Sequence, residues 1–193
     1  YRFARILGGV NWVPDLRAPL SGPGIDVSAG DYLLAVEGRE VRAAENVHAF
    51  FEGRAGKPTS ITVNGRPEMH GARRLTVVPA ASEAGLRLRA WVEGNRRKVE
   101  AASAGRVAYV YMPDTSRGGY EFFNRYYFGA LDKQAVILDE RFNGGGSVAD
   151  YVVDLLDRPL LCWWGTREGR PFSSPNAAIF GPKAMVINEY AGS

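Results

Sequence analysis

Short apolar runs broken by glycine and proline dominate the first 80 residues. Apolar residues recur at helical spacing from Ala44 to Phe51, which predicts a helix over residues 43–53 with Gly53 at its end. The other runs are rich in β-branched or aromatic residues with turn residues between them, as short strands are. They are residues 1–7, 32–36, 60–63 and 74–78. This region is predicted to be a mostly β domain with one helix.

From residue 106 the pattern changes to alternating strands and helices. Strands are predicted at residues 106–112, 135–138, 160–164 and 184–187. Helices are predicted over residues 118–131 and 147–156, the second with Ser147 as its N-cap. Strands that alternate with helices predict an α/β layer with right-handed crossovers.

The segment between these regions is interpreted as a junction. Two strand-like pieces, residues 86–92 and 98–101, flank a predicted turn at Glu93-Gly94-Asn95. We therefore expect two domains, residues 1–83 and residues 84–193. The fold class expected for the whole chain is mixed α+β and α/β.

Charge and cysteine content limit the classes of function that the chain is expected to have. The 24 basic and 21 acidic residues nearly cancel, and the net charge of +3 is too small to predict nucleic-acid binding. The basic cluster Arg96-Arg97-Lys98 is expected in a solvated loop or at a strand end. The lone Cys162 excludes an internal disulfide and fits a reducing compartment. It is expected to be a small buried hydrophobe, with a nucleophilic thiol as the alternative.

Targeting and membrane segments are not evident in the sequence. No apolar run approaches the roughly 20 residues of a membrane span, and no signal peptide is visible. The chain begins at Tyr1 without methionine and stops directly after Gly192, so both ends are interpreted as cut. We therefore expect a fragment of a longer protein.

A glycine run follows the predicted strand at 135–138, in the segment DERFNGGG of residues 139–146. Consecutive glycine N–H groups can point together at an anion or a carbonyl oxygen. A phosphate loop is one reading, but the spacing Gly-x-x-x-x-Gly-Lys-Ser/Thr is absent. A purely structural turn is the other.

The last ten residues, AMVINEYAGS, lead an apolar strand into a small-residue turn that ends at Ser193. A nucleophilic serine is often placed at such a strand-to-helix turn, where the N-terminus of the following helix favours developing negative charge. Alone, the Gly-Ser pair is weak evidence, because many serines at such turns are helix N-caps.

Residues 20–41, from LSGPGI to AGDYLLAVEGREV, resemble PDZ domains of peptidases. Gly30-Asp31 suits the tight turn before the strand, and Glu37-Gly38 suits a hairpin turn. Such domains bind peptide C-termini by β-augmentation, or serve as packing and gating elements. Gly8-Gly9 is a candidate for the carboxylate-binding loop, or a simple hairpin.

The order PDZ-like region, DERFNGGG, then INEYAGS resembles the tricorn branch of the C-terminal-processing serine peptidases over nearly the whole chain. The resemblance implies a crotonase-like α/β catalytic domain. It also implies that Ser193 is the nucleophile and that Gly144, Gly145 and Gly146 line the substrate cleft and supply an oxyanion N–H. The second oxyanion donor would follow Ser193, and the catalytic histidine would precede the PDZ-like domain.

The resemblance further implies a serine endopeptidase or oligopeptidase that needs no metal or other cofactor. It implies a cytoplasmic homo-oligomer, a hexamer in the family, that trims peptides released by larger proteases and passes products to aminopeptidases. The fragment itself is expected to be inactive because it lacks the base. His48 and His70 are expected to be surface or structural. Asp150, Asp154 and Asp157 are expected on a solvated helix face, or else to favour a basic substrate residue.

Two other functions remain open. The chain is alternatively a non-catalytic PDZ-type module that binds peptide C-termini, with the α/β part as scaffold. A phosphate- or acyl-thioester-binding crotonase-like enzyme that uses the glycine loop is the third reading, and the PDZ-like region counts against it.

Overall fold

An antiparallel sheet organises the first unit of the protein, Tyr1–Trp91. The computed structural model describes residues 1–192, and Ser193 lies outside this range. The strands of this sheet are β1 (Tyr32–Val36), β2 (Arg39–Glu40), β3 (Thr59–Asn64) and β4 (Arg73–Val77), in the order β2-β1-β3-β4. Glu37 and Gly38 join β1 to β2 with φ of 49° and 77°, as a two-residue hairpin turn requires.

One face of this sheet is the core of the unit. Leu33 and Val36 of β1 pack with Ile61 and Val63 of β3, and Phe50 covers them from the helical segment. These side chains are buried because alternate residues of a strand share one face. The strands predicted at 32–36, 60–63 and 74–78 are therefore confirmed within one residue at each end.

Two predicted elements of this unit are shorter than expected. Residues 1–7 form only an isolated bridge, Arg2 with Tyr32, because β2 occupies the rest of that edge of β1. The helix predicted over 43–53 is a shorter 3-10 helix at Val47–Phe51. It begins after Asn46, whose side chain caps it by accepting a hydrogen bond from the His48 N–H at 3.0 Å. A second 3-10 helix lies at Pro14–Leu16.

The junction is a single helix, α1 (Ala84–Ala102), so the two strands and the turn predicted there are wrong. Arg96 pairs with Glu93 and Glu100 at helical spacing, with N–O distances of 3.0 and 3.3 Å. Gly94 reduces helix propensity by only about 1 kcal/mol, which the good helix formers around it offset. The basic cluster at residues 96–98 therefore lies on a helix and not in a loop or at a strand end.

The second unit, which begins at Val92, is built on a parallel sheet. Its strands are β5 (Val107–Tyr111), β6 (Ala135–Asp139) and β9 (Lys183–Val186), in the order β5-β6-β9. Between them lie α2 (Arg117–Phe128), α3 (Ala149–Leu156) and an antiparallel hairpin of β7 (Cys162–Trp164) and β8 (Phe172–Ser174). The predicted alternation of strands and helices is confirmed, while β8 was not predicted.

Aromatic side chains of α2 form the core of this unit. The Phe123 and Tyr127 rings stack with centroids 4.8 Å apart, and both side chains are fully buried. The Tyr127 hydroxyl donates to the Leu155 carbonyl at 3.3 Å and accepts from the Ile179 N–H at 3.0 Å. Val110 and Leu138 of the sheet pack beneath these rings. The parallel sheet is therefore packed firmly against α2.

Two local expectations in this unit are wrong. Cys162 is exposed and not buried, because β7 pairs with β8 and does not join the parallel sheet. Ser147 does not cap α3, since Val148 occupies that position and the helix begins at Ala149. At α2, Ser116 is the N-cap residue, and the Asp114 Oδ1 accepts from the Gly119 N–H of the first turn at 2.7 Å.

The predicted fold class is confirmed: a mostly β unit followed by a unit in which helices alternate with parallel strands. The expected domain boundary at residues 83 and 84 remains a prediction, and the division at Trp91 and Val92 falls within α1. None of the helices in the described part of the chain combines the length and the apolar character needed to cross a bilayer.

Candidate functional site

Three loops meet at the carboxyl edge of the parallel sheet. Residues 113–116 follow β5, residues 140–146 follow β6, and residues 187–192 follow β9. Because the strands are parallel, their carboxyl ends share one edge, which is where α/β sheets bind ligands. The glycine run and the turn that leads to Ser193 therefore belong to neighbouring strands at one edge.

The first two glycines of the run have N–H groups that are already hydrogen-bonded. The Gly144 N–H donates to the Pro113 carbonyl at 2.9 Å, and the Gly145 N–H donates to Asn143 Oδ1 at 2.7 Å. The Gly145 carbonyl in turn accepts from the Thr115 N–H at 2.9 Å. These bonds tie the glycine loop to the loop after β5 and leave neither N–H to point at a ligand.

Gly146 differs from its two neighbours. Its φ of 143° lies in a region that favours glycine. A Cβ atom at this position would overlap the Thr115 carbonyl and the Ser116 hydroxyl. Among residues 1–192, no acceptor for the Gly146 N–H is observed. Of the three predicted glycines, Gly146 is therefore the one whose N–H has no acceptor within the described residues.

Asn143 orients the glycine loop from within. Its side chain is buried, and its Nδ2 donates to the Met112 carbonyl at the end of β5 at 3.3 Å. Its Oδ1 receives the Gly145 N–H, and its backbone carbonyl receives the Gly192 N–H at 2.9 Å. Asn143 thus joins the glycine loop to the residue after β5 and to the turn that ends at Gly192.

Asp139 anchors the base of the same loop. Its fully buried carboxylate accepts a bidentate pair of hydrogen bonds from Arg141, with Nη2 to Oδ2 at 2.6 Å. It also accepts one hydrogen bond from the Tyr109 hydroxyl at 2.5 Å. Burial alone would raise the pKa of Asp139, but the hydrogen bonds from Arg141 and Tyr109 outweigh it and lower this pKa. Burial, with the bond to Asp139, raises the pKa of Tyr109. The network is therefore charged at Asp139 and neutral at Tyr109 near pH 7.

Replacing Asp139 with asparagine is expected to lower the free energy of unfolding by about 3 kcal/mol at pH 7, since Arg141 loses its charged partner at a buried site. The lowered pKa means that this stabilisation is present above the unfolded-state pKa of about 4 and is lost as the pH falls below it. Urea unfolding of the 193-residue chain at pH 7 and pH 3 measures the loss of stability in the variant and its dependence on pH. Asp132→Asn, at an exposed pair with Lys133, is the control and should leave the free energy of unfolding nearly unchanged. An equal loss in both variants would contradict this account.

The turn after β9 leads towards the predicted nucleophile. Ser193 itself lies outside the described residues, so its role remains a prediction. Its neighbour Gly192 is bonded to the Asn143 carbonyl, and the Asn188 Oδ1 accepts from the Phe142 N–H at 3.0 Å. The Phe142 and Tyr190 rings stack with centroids 5.6 Å apart, and both are exposed. The two predicted motifs are thus brought together as far as Gly192.

The remaining candidates are exposed to solvent. His48 and His70 belong to the first unit and lie on its surface. Asp150, Asp154 and Asp157 lie on or directly after α3 and are exposed to solvent. Among the described residues no cluster of three or more metal-ligating side chains occurs.

Sequence reasoning missed the residues that hold the loops. Asn143, Asn188 and the Asp139–Arg141 pair were not singled out, although asparagine before a tight turn is a recognisable signal. Phe142 has a φ of 64°, which is rare for a residue with a bulky side chain and has no signal in the sequence.

The fold and the site define a class: an α/β protein with a glycine loop and a turn up to Gly192 on adjacent parallel strands, preceded by a mostly β region. Residues 1–82 match the family model of the tricorn protease PDZ domain. Tricorn protease homolog 1 of Streptomyces coelicolor is 37% identical over 100% of this chain and 18% of its own length. The tricorn protease of Thermoplasma acidophilum is 30% identical over 92% of this chain and 16% of its own.

A solved structure is also similar to this chain. The crystal structure of the tricorn protease matches 98% of this chain with a TM-score of 0.85 and 29% identity, over 18% of that protein. The resemblance to the tricorn protease family is therefore confirmed along the chain. The chain spans less than a fifth of the length of these relatives.

Proposed function

We propose that the protein is a serine endopeptidase or oligopeptidase in which Ser193 attacks a peptide carbonyl and the Gly146 N–H binds the resulting oxyanion. The observation that carries the proposal is the hydrogen bond from the Gly192 N–H to the Asn143 carbonyl, at 2.9 Å. It brings the residue before the predicted nucleophile to the glycine loop. The names of the relatives, which are proteases, support the same activity.

The proposed reaction follows the acyl-transfer scheme of serine peptidases. The Ser193 hydroxyl gives its proton to a base and bonds to the carbonyl carbon, and the carbonyl oxygen becomes an oxyanion. The C–N bond then breaks, the amine leaves with a proton, and water hydrolyses the acyl-enzyme. Preorganised N–H donors lower the barrier because they already face the developing charge. The base is proposed to be a histidine outside this chain.

We further propose the biological setting that the resemblance implies. The substrates are peptides released by larger cytoplasmic proteases, and aminopeptidases act on the products. The protein works as a homo-oligomer, a hexamer as in the family, in the cytoplasm. Large apolar side chains that are more than half exposed support assembly, because interfaces cover surfaces of this kind. Among them are Leu161, Trp163, Met185 and Ile187.

Hydrolysis of internally quenched peptides by the full-length protein tests this function, with products identified by mass spectrometry. Cleavage that persists in the presence of a chelator is expected. The 193-residue chain alone is expected to be inactive and unlabelled by a serine-directed probe at an enzyme-like rate, since it lacks the base. Rapid labelling of the isolated chain would contradict the second expectation. Failure of the assembled full-length protein to cleave any peptide would contradict the first.

A cavity in the first unit favours peptide binding as the second candidate function. It has a volume of about 530 Å³, and its lining is mostly apolar, with Arg5, His48, Ser82 and Glu83 as its polar residues. An apolar cavity with a few polar side chains suits the end of a peptide. Peptides with a free or an amidated C-terminus distinguish the two cases, because only the free form should bind tightly to the full-length Ser193→Ala protein.

A further inference from the structure

The carboxamide of Asn188 bridges the two loops of the proposed active site. Its Oδ1 accepts from the Phe142 N–H at 3.0 Å and from the Tyr190 N–H at 3.3 Å. Both partners are backbone donors, so the oxygen of the carboxamide must face them. Asn188 is half-buried and lies two residues after the end of β9.

The backbone conformation of Phe142 requires contacts that stabilise it. Its φ of 64° is in the left-handed region, which residues with a bulky side chain rarely adopt. Strained backbone of this kind persists only where surrounding contacts hold it, and it gathers at active sites. The Phe142 N–H to Asn188 bond is one such contact, and the stacking of its ring on Tyr190 is another.

The position of Phe142 determines where the glycine loop goes. Asn143 follows it directly and places Gly145 through a 2.7 Å hydrogen bond, and Gly146 comes next. On the other side, Tyr190 and Gly192 belong to the turn that carries the nucleophile, and Gly192 bonds to the Asn143 carbonyl. Asn188 therefore acts on both partners of the proposed chemistry, the serine turn and the Gly146 N–H.

We propose that Asn188 is a positioning residue that holds the glycine loop, with its Gly146 N–H, against the turn that ends at Gly192. The inference rests on the proposed peptidase function. The carboxamide oxygen of Asn188 contacts the backbone N–H groups of Phe142 and Tyr190. It acts by holding Phe142 in its left-handed conformation and Tyr190 in its turn.

Asn188→Ala in the full-length protein tests the inference. A misplacement of about 1 Å between reacting groups lowers rates by roughly 100-fold, so we expect kcat to fall about 100-fold with KM unchanged. Labelling by a fluorophosphonate should slow by a similar factor, because it needs the same geometry. Asn188→Asp keeps an acceptor oxygen and should recover about tenfold of the lost kcat.

A second substitution separates positioning from a general loss of structure. Phe142→Gly removes the bulky side chain and allows the positive φ without support. In the Phe142→Gly background, Asn188→Ala should lower kcat by only about tenfold, since the two residues act through one contact. An equal loss in both backgrounds would overturn the inference.

Asn64→Ala is the matched control, because the Asn64 side chain also makes two hydrogen bonds to backbone, in the first unit. It should leave kcat unchanged. Wild-type hydrolysis that disappears in Ser193→Ala establishes the peptidase function independently. If that result holds and Asn188→Ala keeps wild-type kcat, the positioning role is wrong while the proposed function stands. If Ser193→Ala keeps full activity, the proposed function itself fails.

Discussion

Ser193→Ala in the full-length protein is expected to lower the rate of peptide hydrolysis by a factor of at least about 10⁴. Removing a serine nucleophile disables the whole acyl-transfer mechanism, and only the slower catalysis by oxyanion binding and substrate positioning remains. The measurement is kcat on an internally quenched peptide at saturating concentration. KM should change little, since the side chain that is lost is small.

Ser147→Ala is the control for this substitution, because Ser147 directly follows the glycine run. It does not cap α3 and is exposed, so its loss should leave kcat within about threefold of the wild type. Loss of activity in Ser147→Ala with activity retained in Ser193→Ala would assign the nucleophile to the glycine loop and contradict the proposal.

Gly146→Ala is expected to lower kcat by about 100-fold to 1,000-fold, which is the usual effect of losing one oxyanion donor. An added Cβ would overlap the Thr115 carbonyl and the Ser116 hydroxyl, and the φ of 143° is unfavourable for alanine. The loop must therefore move, and the Gly146 N–H moves with it. Steady-state kinetics on the full-length protein measures this effect.

Gly144→Ala is the matched variant within the same loop. A Cβ there would meet only the Pro113 carbonyl and the Asp114 side chain at ordinary contact distances, 3.8 and 4.0 Å. Its N–H stays bonded to Pro113, so kcat should fall by less than about tenfold. Equal losses for Gly144→Ala and Gly146→Ala would show that the loop acts by its general shape and not through the Gly146 N–H.

The sheets were predictable because their residues follow simple patterns. The apolar run at β6 and the alternating β1 have partners on both sides, so burial and sequence agree. The helix α1 was missed because Gly94-Asn95 resembles a turn. Its ion pairs, such as Arg87 with Glu83, depend on helical spacing that a strand reading overlooks.

The proposed site was predictable only in part. The glycine run and the Gly-Ser turn are visible as motifs, because each needs small residues in adjacent positions. What distinguishes Gly146 from Gly144 is the set of backbone partners supplied by residues 113–116, about 30 positions earlier in the chain. The contact of Asn188 could not be predicted for the same reason, since its partner Phe142 is 46 residues away. Contacts across such separations have no local signal.

Labelling of the full-length protein with a fluorophosphonate, followed by peptide mapping, tests the central claim most directly. The account predicts one label per chain on the peptide that contains Ser193, formed in parallel with the loss of peptide hydrolysis. It also predicts slower labelling in Gly146→Ala, because the phosphonyl oxygen needs the same N–H. Complete inactivation with the label on any other residue, or cleavage of peptides by a protein that never takes a label, would contradict it.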